Sequence, residues 1–249
     1  MPVSKSAASI LLAAREGSNR LFASIRRRPN ARLSSLKQVI LDVSRFNEVS
    51  QYCIKPPYRH REDNAFFDDT QNNDNWQREL YEIAAEAATK LGARKVIDVG
   101  CGSGFKLVKY FPGCDTVGLD LEPTVTFLKS RYPTKEWRVA DLADHEGPAD
   151  IVVCADVIEH VRDPDRLMRF LSRINARRYF VSTPERQLVY NWNQSGPPEN
   201  PAHCREWTLS EFRQYVGLWF DVVDVFVTNR RQATQKAVLK PLASKTNLI

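Results

Sequence analysis

Asp98, Gly100, Gly102 and Gly104 alternate along Lys95-Val96-Ile97-Asp98-Val99-Gly100-Cys101-Gly102-Ser103-Gly104, where a β-branched run meets three small residues. Such a turn lets a ligand lie directly against main-chain N–H groups at the start of the next helix. A dinucleotide fingerprint has its third glycine where this chain has Phe105. Asp98 would also repel a pyrophosphate, whereas it suits a ligand with an ammonium group. The pattern therefore favours a sulfonium amino acid such as S-adenosylmethionine over NAD. A second acid, Asp120, closes the apolar run Thr116-Val117-Gly118-Leu119-Asp120. It falls about twenty residues later, where a Rossmann-like unit places its ribose-binding carboxylate.

Short β-branched runs alternate with longer stretches of helical period, the pattern of a parallel sheet covered on both faces. Leu80, Ile83, Ala84, Ala87 and Ala88 predict a helix over Trp76 to Leu91. Leu167, Phe170, Leu171 and Ile174 predict another over Asp165 to Ile174, with Pro164 near its start. Thr208 is a cap for a third that opens at Leu209.

The 249 residues are 43% hydrophobic and 27% charged, which suits one sizeable core with appendages. Five cysteines with no C-x-x-C pair argue against a disulfide framework or a zinc site, and no metal site is expected. A reducing, cytoplasmic setting follows, with Cys101 and Cys154 as small buried apolar residues. Residues 1–40 hold eight basic side chains against the single acid Glu16, a charge of +7 in a chain whose total is +6. The basicity thus belongs to an appendage, which weakens the case for nucleic acid. Arg15, Glu16 and Arg20 interrupt the apolar stretch Ala7 to Ile25, so it is not a transmembrane span. Residues 1–40 read as a helical arm for a protein or membrane-surface contact, although transit peptides share this Ser-rich, Arg-rich composition. Residues 41–75 read as a cap on the substrate side and 76–249 as the catalytic domain.

Around the glycine loop and beyond it, across roughly residues 76 to 240, the chain resembles the class I S-adenosylmethionine-dependent methyltransferases. Trp137-Arg138-Val139-Ala140-Asp141-Leu142 is similar to their third strand and adenine turn, and Asp150 to Val161 to the fourth strand with its D-V-x-E-H-V sequence. Arg178 to Pro184, Phe220 to Val227 and Gln235 to Leu239 resemble strands five to seven. The resemblance implies an α/β, Rossmann-like, doubly wound sheet of seven strands, mostly parallel with the last antiparallel. It implies a cofactor held by Asp98, Gly100, Cys101, Gly102, Gly104, Asp120, Leu121, Asp141, Leu142, Ala155 and Asp156.

A narrower similarity, through Asp68-Asp69-Thr70, Trp76-Gln77, Gly196 to Trp207 and Asn229 to Gln235, links the chain to bacterial methyltransferases of glycan and exopolysaccharide assembly. It implies a carbohydrate hydroxyl as acceptor, with Trp76, Gln77, Tyr190, Trp192, Arg205 and Glu206 as substrate-facing residues. A small-molecule O- or N-methyltransferase is the alternative, and a non-catalytic S-adenosylmethionine-binding scaffold is a third reading. Nucleic-acid base methylation is disfavoured, because Asp156-Val157-Ile158-Glu159 stands where Asn/Asp-Pro-Pro-aromatic would.

An alcohol acceptor benefits from a base that titrates near working pH, which directs attention to His60, His145, His160 and His203. His203, beside Arg205 and Glu206 in a lid-like loop, leads His160. Asp156 is the acid nearest the expected transfer position.

Overall fold

A computed structural model describes residues 51–144, 147–190 and 195–243. The predicted arm, His145 and Trp192 lie outside these residues.

The chain runs α1 (Arg78–Leu91), β1 (Lys95–Val99), α2 (Phe105–Tyr110), β2 (Asp115–Asp120), α3 (Thr124–Arg131), β3 (Glu136–Val139) and β4 (Ala149–Ala155). It continues with a 3₁₀ turn (Ile158–His160), α4 (Pro164–Arg173), β5 (Ala176–Pro184), α5 (Arg186–Tyr190), α6 (Leu209–Gly217), β6 (Phe220–Asn229) and β7 (Thr234–Pro241). One seven-stranded sheet has the order β3-β2-β1-β4-β5-β7-β6. Strands β1 to β5 pair in parallel, and β7 is antiparallel to both β5 and β6. This is the expected fold class.

Period-two alternation sends successive strand residues to opposite faces. Val96, Ile151 and Val153 join the apolar layer of α1, α2 and α3, while Ile97, Val152 and Cys154 join that of α4 and α6. Gly118 in β2 exists because the Trp137 ring lies across it and leaves no space for a Cβ. Helix α1 starts at Arg78, later than Trp76, because Gln77 takes a left-handed φ of 63°. Asp163 caps α4 through the Asp165 N–H. Thr208 and Glu211 form a reciprocal capping box on α6, as the Thr208 cap foretold.

The strand order reverses between β1 and β4, so the chain leaves these two strands in opposite directions and opens a crevice beyond their C-terminal ends. Ahead of the sheet, residues 58–65 run beside the loop that precedes α6. Arg59, Arg61 and Ala65 N–H groups donate to Ser195, Cys204 and Pro201 carbonyls at 2.8, 2.8 and 2.9 Å.

Candidate cofactor and acceptor site

A cavity of about 470 Å³ fills the crevice. Val99, Gly100 and Asp120 line it, beside the glycine loop that β2 holds in place: Gly100 N–H donates to the Leu119 carbonyl at 2.8 Å, and Gly102 N–H to Asp120 Oδ2 at 2.7 Å. Asp120 Oδ1 accepts from Leu121 N–H at 2.7 Å. Gly102 has φ +52°, and a Cβ there would collide with the Asp69 carboxylate. Beneath the loop, buried Asp98 accepts from the Tyr81 hydroxyl at 2.8 Å through Oδ2, while Oδ1 has no partner.

Four carboxylates, Asp69, Asp98, Asp120 and Asp156, thus lie in this region with Lys106 and Lys236 as neighbouring cations. Burial pushes Asp98 up to about 7, opposed by the Tyr81 hydrogen bond and Lys106. Burial and the charge of Asp120 push Asp69 up to about 6. Burial also raises Asp120 and Asp156. An excess of confined negative charge, an orphaned buried oxygen and a side-chain-free loop fit a ligand with a cationic amino-acid head.

A stability prediction follows. Asp98 binds its proton more tightly in the folded chain than at its ordinary value of 3.8. Its stabilising contribution is complete below that value and disappears as pH rises through about 7. Thermal melts of the ligand-free protein between pH 4 and 8 should fall with pH, and Asp98→Asn should flatten the fall. An equally steep profile in Asp98→Asn would reject Asp98 as its source.

Leu121, Ala140 and Leu142 form an apolar side of the cavity. Asp141 is placed differently from expectation: its carboxylate is exposed and caps its own turn through the Ala143 N–H at 2.8 Å. The Cys101 side chain packs into the core of α1 to α3, as its apolar reading anticipated, so only its backbone belongs to the loop. Gly104 starts α2, and the Ala155 carbonyl accepts from Gln77 Nε2 at 3.2 Å.

The opposite side is polar. Asp156 has a left-handed φ of 53°, and its Oδ1 accepts from Ser182 Oγ at 2.5 Å. One turn on, Glu159 Oε2 accepts from Thr183 Oγ1 at 3.0 Å, while its buried Oε1 has no partner. His160 donates from Nδ1 to the Ala202 carbonyl at 2.9 Å and stacks on Phe67. Burial and neighbouring His203 hold it down at about 4, so it is neutral at pH 7. His203 Nδ1 meets Glu206 Oε1 at 2.6 Å, and its Nε2 faces Asn200 Nδ2 at 2.9 Å. The two imidazole centres are 4.7 Å apart.

Two expected substrate contacts require correction. Arg205 points away from the cavity, donating to the Val161 and Arg162 carbonyls at 2.6 and 2.5 Å beneath the Tyr52 ring. Glu206 is buried behind His203 and orients that ring without reaching the cavity wall. Trp76 and Gln77 do line the cavity, Trp76 at its exposed mouth. Tyr190 ends α5, and its side chain lies outside the described set. His60 is wedged against Tyr52, Tyr58 and Arg205, away from the cavity. Sequence reasoning missed Asn64, which bridges the His160 and Ala202 carbonyls at 2.9 and 3.2 Å. It also missed Lys106; a lysine at the second position of a helix has no local signature of a site.

A family model described as a methyltransferase domain matches residues 67–217, more than half of the chain. The chain belongs to that family. Its methyltransferase domain is of the class I, S-adenosylmethionine-dependent kind, and its glycine loop, β4 turn and polar wall all fall inside the matched region.

A probable S-adenosylmethionine-dependent methyltransferase of Mycobacterium tuberculosis is 31% identical over 150 residues, 55% of this chain and 52% of that protein. The mitochondrial ubiquinone biosynthesis O-methyltransferase of Saccharomyces cerevisiae is 29% identical over 130 residues, 47% and 42% of the two chains. The chain thus spans about half the length of the relatives it matches. In fold, the methyltransferase domain is similar to magnesium protoporphyrin IX methyltransferase of Synechocystis, solved with bound SAH. The TM-score is 0.52 at 17% identity, covering 66% of this chain and 83% of that one. Among the described residues, no helix is long and apolar enough to cross a membrane.

Proposed function

We propose that the protein transfers a methyl group from S-adenosylmethionine to a hydroxyl oxygen, and that the acceptor is a sugar of a glycan or glycosylated intermediate. The observation that carries the reading is one cavity with two unlike sides, an acid-ringed glycine cradle and a wall of imidazoles, carboxamides and aromatic rings. Bound S-adenosylmethionine supplies a methyl group on a sulfonium, whose leaving group is a neutral thioether. Asp98 and the backbone of Gly100 to Gly104 bind the amino-acid head, Asp120 the ribose hydroxyls, and Leu121, Ala140 and Leu142 the adenine. Asp156, fixed by Ser182, borders the transfer position. Orientation of the acceptor oxygen against the neutral His160 and its neighbour His203 supplies most of the rate.

The carbohydrate assignment rests on Phe66, Phe67 and Trp76 beside Asn64, Asn72 and Gln232, since pyranose rings offer both C–H faces and hydroxyls. A small-molecule hydroxyl is the second reading, favoured by the apolar Phe67 to His160 stack and by the withdrawal of Arg205. Residues 41–75 would cap the acceptor, and the basic arm would contact a protein or membrane surface in the cytoplasm.

The test is a methyl-transfer screen of nucleotide sugars, oligosaccharides and phenols, with product mass and methylated position determined. Transfer to phenols alone would select the second reading, and binding without any transfer would leave a scaffold. Asp120→Ala should weaken S-adenosylmethionine binding by roughly 1.5–3 kcal/mol, because it removes charge-assisted hydrogen bonds and unties Gly102. Unchanged affinity by calorimetry would reject Asp120 as the ribose acid.

A further inference from the structure

Glu159, His160 and His203 each offer one ligand atom, and these atoms all lie within 4.8 Å of one another. The fold holds the two donor segments together from several directions. Cys204 N–H donates to the Glu159 carbonyl at 2.7 Å, Asn64 ties the His160 carbonyl to the Ala202 carbonyl, and Arg205 grips the next two carbonyls.

The orientation of each imidazole is also fixed. His160 donates Nδ1–H to a carbonyl, which leaves Nε2 with the lone pair. His203 directs Nδ1 at the Glu206 carboxylate. Asn200 Oδ1 accepts from Ala202 N–H, so its Nδ2 is the donor and His203 Nε2 the acceptor. Metal-binding histidines are oriented in this way, through a carbonyl or carboxylate on the other nitrogen. The third donor, Glu159, is fully buried, has Oε1 without a partner, and lines the cavity.

We propose that Glu159, His160 and His203 form a binding site for a divalent transition-metal cation on the acceptor side of the cavity. Two imidazoles and one carboxylate suit Mn²⁺, Fe²⁺, Co²⁺ or Zn²⁺, and suit the all-oxygen chemistry of Mg²⁺ and Ca²⁺ less well. Ligands about 2.0–2.2 Å from a shared cation stand roughly 3–3.5 Å apart. A bound cation would draw the donors in from the observed spacing by small side-chain adjustments and replace the Asn200 Nδ2–H on His203 Nε2. Three protein ligands leave coordination positions open toward the cavity. There an acceptor hydroxyl binds as a further ligand and loses its proton to solvent more readily. This last role rests on the methyl-transfer reading, whereas cation binding does not.

The experiment uses the full chain, stripped with a chelator and dialysed. Titration with Mn²⁺, followed by loss of the free-ion EPR signal, should reach one ion per chain, and an excess of Mg²⁺ should compete weakly. Absence of saturable binding would overturn the proposal. Loaded with Co²⁺, the wild-type protein should give two paramagnetically shifted imidazole N–H resonances. Their absence would place the ion elsewhere, without recourse to any variant. Glu159→Gln and His203→Ala should weaken Mn²⁺ binding at least tenfold, whereas His60→Ala should not, and equal binding in all three would overturn the assignment. S-adenosylmethionine affinity measured in the stripped protein separates the two readings. Cofactor binding without cation binding would sink this proposal alone, and cation binding without cofactor binding would sink the methyl-transfer reading while the metal site stands.

Discussion

Gly102→Val is expected to abolish detectable S-adenosylmethionine binding in calorimetry, a loss of more than about 100-fold, or roughly 2.7 kcal/mol. Gly102 holds φ +52° while its N–H is tied to Asp120, so a β-branched residue must either bear left-handed strain or release the loop. Such strain costs on the order of 1–3 kcal/mol. The added side chain would also fill the face that the ligand needs and push against Asp69. Gly113→Val is the matched control, because a Cβ at Gly113 meets nothing within 4 Å. Full affinity in Gly102→Val would move the cofactor away from this loop.

Glu211→Ala should be the most destabilising of the single substitutions considered, by about 3–5 kcal/mol, the range for breaking a buried ion pair. Glu211 is almost wholly buried and ion-pairs with the Arg186 guanidinium at 2.8 Å. It also accepts from Lys55 and Thr208 N–H groups at 3.0 and 2.9 Å. Alanine strands the Arg186 charge against the Tyr58 ring and removes the Glu211 half of the capping box, leaving the buried Thr208 N–H without its acceptor. Glu211→Gln, which keeps an acceptor but no charge, should lose less. Urea unfolding of the two variants checks both statements, and a loss under about 1 kcal/mol for Glu211→Ala would mean that the pair is solvated.

The sheet and the acid-flanked glycine loop were legible because their signals are local. Val96 to Gly104 states a strand, a turn and a helix start within a few residues, and Asp120 recurs at a distance set by one strand–helix–strand unit. The polar wall was only partly legible. His160 and His203 could be singled out by residue type, but their approach depends on hydrogen bonds between segments more than forty residues apart, such as Cys204 to Glu159. Arg205 shows the opposite error. A cation in a loop at the ligand end of a sheet suggests recognition, yet carbonyls left over at the end of the 3₁₀ turn needed donors, and Arg205 supplies them. Lys106 and Asn64 acquire a place near the cavity only once α2 and residues 58–65 have docked.

The backbone pairing of residues 58–65 with the loop before α6 gives the two sides of the cavity separate histories. The glycine loop and most of its acids are encoded within one continuous stretch, Lys95 to Asp156, with Asp69, Gln77 and Tyr81 added from the preceding segment. The polar side also draws on two distant segments, joined by the Arg59, Arg61 and Ala65 N–H groups to the Ser195, Cys204 and Pro201 carbonyls. Substitutions in those two segments would therefore reshape the polar side while leaving the crevice between β1 and β4 untouched.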